Sequence, residues 1–420
     1  MAISKLAATT APKISARSLT LPIVIVALFL QPARSESPQW RGHHGDGVVH
    51  DFQVPAKWPE KLTRLWSVAV GQGHSSPITF GDTVLVQSRE QDGEVLRAFK
   101  LSDGSKGWVY QTPAAATLDR SVGRYGSSPR ATPAYRDGRL VALTVAGTLL
   151  CLDGETGQEI WTRTFTDEFK PAYPQFGAAA SPLIVDGTCV AIVGNHREGR
   201  LAGFDLESGR QQWSIEIDGA AYASPVQLTV AKKRLLVVLT DESLLGFSSS
   251  GRRLWKHPYT TQYDQNIVTA TSHDGLIFIS GYYNPLIALG GAAGRTLSQV
   301  WENRKHPIYM SSPVVAKGLL FGMSQRNQGH IFCVDAASGE TQWSSEGRMG
   351  ENVSVQLVDD LLVLLSDTGR LWFAKADAQG YQEVATYSVT NGSPFAHPVL
   401  EGHRILIKDQ DSLICYSLGE

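Results

Sequence analysis

His74 and His397 occupy matching contexts, GHSSPITF and SPFAHPVL, in which a small or polar residue precedes a proline at the head of an apolar run. An imidazole at such a place can donate, accept or titrate near neutral pH. The segments between apolar runs add Arg124 and Arg130 in TPAAATLDRSVGRYGSSPR, Tyr173 in TDEFKPAYPQFG and Tyr263 in HPYTTQYDQN. His306 and Tyr309 follow in NRKHPIYM, and Arg348 in EGRMGEN. Guanidinium and imidazole donors beside aromatic faces suit a carboxylate, a sugar or a peptide. Two acid–amide pairs, Asp264 with Asn266 and Glu351 with Asn352, carry the hard oxygen atoms that a calcium ion takes. Solvated loop polarity is the simpler account of both pairs, and of HHGD at His43–Asp46, so no metal site is expected. The chain contains no GxSxG elbow, no HExxH and no cysteines at zinc spacing, so nucleophilic and zinc chemistry lack a motif.

Positioning these residues is the task of a repeat. Eight short apolar segments align: LRAFK from Leu96, LLCLD from Leu149, LAGFD from Leu201, LLGFS from Leu244, LIALG from Leu286, IFCVD from Ile331, LWFAK from Leu371 and LICYS from Leu413. They start 40 to 53 residues apart, and most are followed by a glycine turn and then a tryptophan, as in Gly157/Trp161 and Gly209/Trp213. A period of that length with about four strands per unit predicts a β-propeller. The eighth unit lacks its fourth strand, whereas RLWSVAV (Arg64–Val70) is a fourth strand without a preceding three. The sequence therefore predicts an all-β, eight-bladed propeller of four-stranded antiparallel blades, closed by an N-terminal strand that completes the last blade. The repeated tryptophans are expected to pack between blades.

Alignment of the inner strands assigns one position per blade before the proline or its equivalent. These are Ser76, Thr132, Ser181 and Ser224 in the first four units, and Thr269, Ser312, Ser354 and His397 in the last four. Hydroxyls at a point where eight strands converge are expected mainly to satisfy backbone groups. The expected binding face is the one formed by loops leading into inner strands, with Ser76, Asp264, Asn266 and Asn352 beside the histidines, arginines and tyrosines named above.

Composition agrees with this architecture. Forty glycines, twenty prolines and only 19% charged residues fit many tight turns better than long helices. A formal charge of −2 supplies no basic field, so nucleic acid is not an expected partner. Lys5, Lys13 and Arg17 precede the apolar run Leu19–Leu30, and small residues follow up to Ser35. Twelve residues are too few to span a bilayer, which takes about 20 in a helix. The expected organisation is a signal peptide at 1–35, an extended pre-propeller segment at 36–61 and the propeller at 62–420, exported to the periplasm or cell envelope without a transmembrane domain after cleavage. Cys151, Cys333 and Cys415 fall at one repeat position in different units, too far apart for the ~7 Å limit of a disulfide, which leaves Cys189 with Cys151 as the one pair to test.

The repeats LCLDGETGQEIW, AGFDLESGRQQW and FCVDAASGETQW resemble those of pyrroloquinoline-quinone (PQQ) enzymes and of the related outer-membrane assembly factor BamB. The opening PQWRGHHGDGV with LWSVAVGQGHSSP is similar to that of exported propellers of the PQQ-like repeat type. The resemblance implies the fold over nearly all of the mature chain, and it spans enzymes and non-enzymes alike. Its enzyme branch implies PQQ and Ca2+, commonly under a disulfide between adjacent cysteines, and this chain has no Cys-Cys pair. Its BamB branch is commonly lipid-anchored, and no cysteine follows the apolar run. The resulting expectation is a monomeric, non-catalytic scaffold without a cofactor, binding an envelope protein or small ligand. The alternative is a PQQ-dependent oxidoreductase with an atypical pocket.

Overall fold

The computed structural model describes residues 36–419, apart from 51, 92, most of 113–127, 293 and 295; of the residues before 36 only Met1 is described. The expected signal peptide and Arg124 lie outside the described residues.

Eight antiparallel sheets succeed one another along the chain. Blade six shows the plan: Val314–Ala316 innermost, then Leu319–Ser324, His330–Asp335 and Thr341–Ser344 at the rim. Its first hairpin turns at Lys317 and Gly318, both left-handed (φ 51° and 77°), so each strand reverses within two residues. Middle strands are buried on both faces and read as continuous apolar runs, such as LLVLLS at Leu361–Ser366. Outer strands alternate in exposure, as in KGWVYQ at Lys106–Gln111. Among the described residues helix is limited to short 3-10 turns such as Gln262–Asp264 and Arg326–Gln328.

Thr63–Ala69 pairs antiparallel with Ser412–Ser417, placing Trp66 opposite Cys415. The chain's early strand thereby becomes the outer strand of blade eight, and the ring has no open sheet edge at its closure.

The tryptophans act between blades. Trp66 donates its indole N–H to the Leu101 carbonyl of blade one at 3.1 Å, Trp161 to Leu206 at 2.9 Å and Trp301 to Ala336 at 3.0 Å. The glycine of the receiving turn must be glycine. Gly104 has φ +72°, and a Cβ there would lie 2.8 Å from the Trp66 ring. Tyr387, which replaces the tryptophan in blade seven, donates instead to the Pro59 carbonyl at 3.0 Å. All four cysteines, Cys151 and Cys189 included, are free and buried.

Before joining blade eight, residues 36–59 run through the ring. Thr79 of blade one donates its N–H to the Ser37 carbonyl (3.0 Å), and Tyr135 of blade two donates to Pro38 (2.8 Å). Arg41 donates to the Pro313 carbonyl of blade six at 2.6 Å. Val48–Val49 then adds a fifth, parallel strand to the inner edge of blade seven, and Gln53 donates to Gly402 of blade eight at 2.8 Å. This arm carries Trp40 to the axis.

Candidate functional site

The aligned hydroxyls form a stitched ring. At five of the eight ring positions the backbone N–H donates to the hydroxyl of the neighbouring blade; four of these are Ser76 to Thr132 (3.1 Å), Thr132 to Ser181 (2.9 Å), Ser181 to Ser224 (2.9 Å) and Thr269 to Ser312 (3.0 Å). His397 closes the circle by donating its N–H to Ser76 Oγ at 2.9 Å. These bonds satisfy strand ends that would otherwise be buried without partners.

Above the ring, on the face where outer strands pass to the next inner strand, lies a cavity of about 190 Å³. Its wall follows the strand period. The residue two positions before the ring residue points to the same side, because side chains alternate along an extended chain. In blades one to four these residues are His74, Arg130, Ala179 and Tyr222; in blades five to eight they are Ile267, Met310, Asn352 and Phe395; all eight line the cavity. Beneath them Ser181, Ser224, Thr269, Ser354 and His397 of the ring face the same space. Trp40 forms the floor, lining both this cavity and a much smaller one on its other side. It donates its indole N–H to Thr269 Oγ1 at 3.3 Å and sits 4.5 Å, centroid to centroid, from the His397 ring.

Of the residues expected from the sequence, His74, Arg130, Tyr309, Asn352 and His397 meet at this cavity. Ser76 is consumed by the ring joint. Tyr173 packs against Leu118, Val122 and Val145. Tyr263, Asp264 and Arg348 are exposed and outside the cavity wall, all three with left-handed backbone. Asn266 is buried and spends its amide on the Thr240 and Asp241 carbonyls at 2.7 and 3.0 Å. His306 departs furthest from expectation. Its ring stacks on Phe332 at 4.6 Å, with Nδ1 3.0 Å from His330 Nε2 and Nε2 3.0 Å from Thr341 Oγ1, an interior arrangement that burial holds neutral with a pKa of about 4. Trp40, Phe176, Tyr222, Gln265 and Phe395 are lining residues that motif reading passes over.

Arg130 is the one ionic side chain among the described lining residues, and it donates to the Ser128 and Gly126 carbonyls at 2.9 Å each. Burial, and then the nearby Arg41, depress His397 to about 3. Its Nδ1 is sealed from solvent without a partner. A stranded N–H is costlier than a stranded lone pair, so the proton belongs on Nε2, the atom the ring can offer as a donor. On the blade-three side, the Tyr222 hydroxyl lies 2.9 Å from His196 Nε2, and His196 Nδ1 lies 2.8 Å from Asp241 Oδ2. Burial raises Asp241 to about 6, with the His196 hydrogen bond opposing the shift.

The donor set does not fit a PQQ–calcium centre. A tricarboxylate quinone calls for several cationic partners and its cation for carboxylates, whereas the described wall supplies one guanidinium and no carboxylate. Asp264 and Asn266 diverge, one into solvent and one into the interior, and Asn352 accepts from Ser311 Oγ at 3.0 Å. Among the described residues no three His, Cys, Asp or Glu side chains group as a metal site.

Comparisons with known proteins place the chain. The family model described as outer membrane protein assembly factor BamB matches residues 118–345. The BamB of Shewanella oneidensis is 28% identical over 144 residues, 34% of this chain and 35% of that protein. The lanthanide-dependent methanol dehydrogenase of Methylacidiphilum fumariolicum is 26% identical over 167 residues, 38% of this chain and 26% of that protein. The matched region thus spans about a third or less of these relatives' length. Among solved structures, a europium-containing methanol dehydrogenase superposes with a TM-score of 0.70 at 12% identity, covering 91% of this chain and 98% of its own, a likeness of fold. Because the family model spans more than half of the sequence, this chain belongs to the BamB family, as a PQQ-like-repeat propeller related to quinoprotein dehydrogenases.

Proposed function

We propose that the protein is an exported, non-catalytic scaffold of the cell envelope that holds a partner protein or small ligand at the top-face cavity. The observation that carries this reading is the cavity's chemistry: aromatic planes, hydroxyls and amides around one guanidinium, floored by the chain's own Trp40. No described pair of carboxylates converges there for acid–base work. His397, neutral above about pH 3, is a poor base at neutral pH. Membership in the BamB family supports an envelope setting, and among the described residues no helix is long and apolar enough to cross a membrane.

Cell fractionation together with capture on the purified full-length protein tests the proposal. Recovery of outer-membrane assembly components, lost in variants of the cavity wall, supports it. A cytoplasmic location contradicts it. The second reading, a PQQ-dependent oxidoreductase, is favoured by the methanol dehydrogenase relatives. It requires quinone binding and turnover by a cavity whose described donors do not match that cofactor.

A further inference from the structure

We infer that the cavity and the tyrosines beside its mouth form one binding site for an uncharged oligosaccharide, with a terminal sugar ring over Trp40 and the following rings on Tyr309, Tyr282 and Tyr283. The inference rests on the scaffold reading of the same cavity and names its ligand class.

The wall chemistry selects among ligands. An anion would gain from several cations and a cation from carboxylates, and the described wall carries a single ionic group, Arg130. The rest of the polar lining is neutral and already partly engaged: Ser181 and Ser224 accept the ring N–H bonds, Gln265 Oε1 accepts from Tyr309 at 2.5 Å and Asn352 Oδ1 from Ser311 at 3.0 Å, which leaves the Gln265 and Asn352 NH2 groups as the amide donors for a ligand. A pyranose has an apolar C–H face and a rim of hydroxyls, so it meets aromatic planes and neutral polar groups together. The cavity, at about 190 Å³ and closed by Trp40, is of a size for one such ring.

The aromatic surface continues beyond the cavity. Tyr309 lines the wall and lies 4.6 Å from Tyr282, which is 4.3 Å from Tyr283 and 6.1 Å from Tyr263, all between ring centroids. Tyr263 and Tyr283 are 75% and 63% exposed, among the few large apolar side chains presented to solvent. Both sit in left-handed backbone, with φ of 60° and 57°, where turns ordinarily place glycine or asparagine. Two separate loops, Thr261–Gln265 before blade five's inner strand and Tyr282–Tyr283 within that blade, thus supply one aromatic cluster beside the cavity, its ring planes inclined by 52° to 64°. C–H contacts with successive rings of such a cluster reward ligand length.

The test is calorimetry and tryptophan fluorescence on the full-length protein with gluco- and N-acetylglucosamine oligosaccharides of one to six units, and glucuronate as the charged control. The expected result is saturable binding of neutral sugars, with a tetrasaccharide held about tenfold or more tighter than its monosaccharide. Tyr282→Ala and Tyr283→Asn are expected to abolish that gain while leaving monosaccharide affinity within about twofold. Tyr283→Asn is also expected to raise the melting temperature, because it relieves the left-handed position, so lost binding is not lost folding. Absence of saturable binding by every neutral sugar overturns the inference, as does tighter binding of glucuronate or a length gain that survives both substitutions. If sugar binding fails while envelope partners are still captured through the cavity wall, the scaffold reading stands and this inference falls. If bound sugar is converted to product, the scaffold reading falls instead.

Discussion

The backbone N–H of His397 donates to the Ser76 hydroxyl at 2.9 Å, joining residues 321 positions apart at the seam between blades eight and one. Ser76→Ala leaves that buried N–H without an acceptor, at a cost of about 1–3 kcal/mol. Ser76→Thr is expected to keep the bond and most of the stability. Denaturant melts of both variants check this, and equal destabilisation of the two would contradict it.

The tryptophan docks predict a backbone effect separable from the ring itself. Gly104→Ala places a methyl group 2.8 Å from the Trp66 ring at a φ of +72°. The expected loss is about 2 kcal/mol or more, from strain and displaced packing together. By contrast, Gly138→Ala, also left-handed but with open space around its Cβ, is expected to lose only about 1 kcal/mol. Parallel thermal melts measure the difference.

Stability should vary with pH in two opposed ways. Burial raises Glu94 from 4.5 to about 7, against its hydrogen bonds from Val145 N–H and Gln87, and raises Asp241 from 3.8 to about 6. A raised folded pKa contributes stability that is full below the unfolded pKa and is lost as pH climbs through the folded one. These two acids therefore favour the fold below about pH 4 and weaken it between about pH 4 and 7. His397 runs the other way: depressed from 6.5 to about 3, its contribution is present above pH 6.5 and is lost as pH falls toward 3. Glu94→Gln is expected to flatten the decline between pH 4.5 and 7, by an amount on the order of 3 kcal/mol. An unchanged pH–stability profile in that variant would contradict the assignment.

The cavity floor is its own test. Trp40→Phe keeps an aromatic plane but removes the N–H donated to Thr269. The expected stability loss is about 1 kcal/mol, with ligand affinity reduced by less than about tenfold. Trp40→Ala opens the floor and is expected to abolish binding and cost about 3–5 kcal/mol. Melts and fluorescence titrations of both variants report the two effects separately.

Much of this architecture was legible in the chain. The eight strand starts share a register, so Ser76, Thr132 and their counterparts identify the ring without any structure. The same register, shifted by two residues, contains the upper wall, because period-two alternation returns the side chain to the axis. Tyr222 and Phe395 were therefore readable by position, although motif chemistry passed over them. His306 shows the opposite error. As a loop residue in NRKHPIYM it was expected at the funnel, but its ring turns inward and packs on Phe332 and His330. Trp40 had no such signal. It comes from a non-repeating arm, and only the fold brings it 4.5 Å from His397.

The top-face cavity is expected to bind its ligand without redox catalysis. Titration of the purified full-length protein with PQQ and calcium, followed by reduction of an artificial electron acceptor with alcohols and sugars, tests it most directly. Neither stoichiometric quinone binding nor turnover above background is expected. Tight one-to-one quinone binding with substrate-dependent acceptor reduction would contradict it.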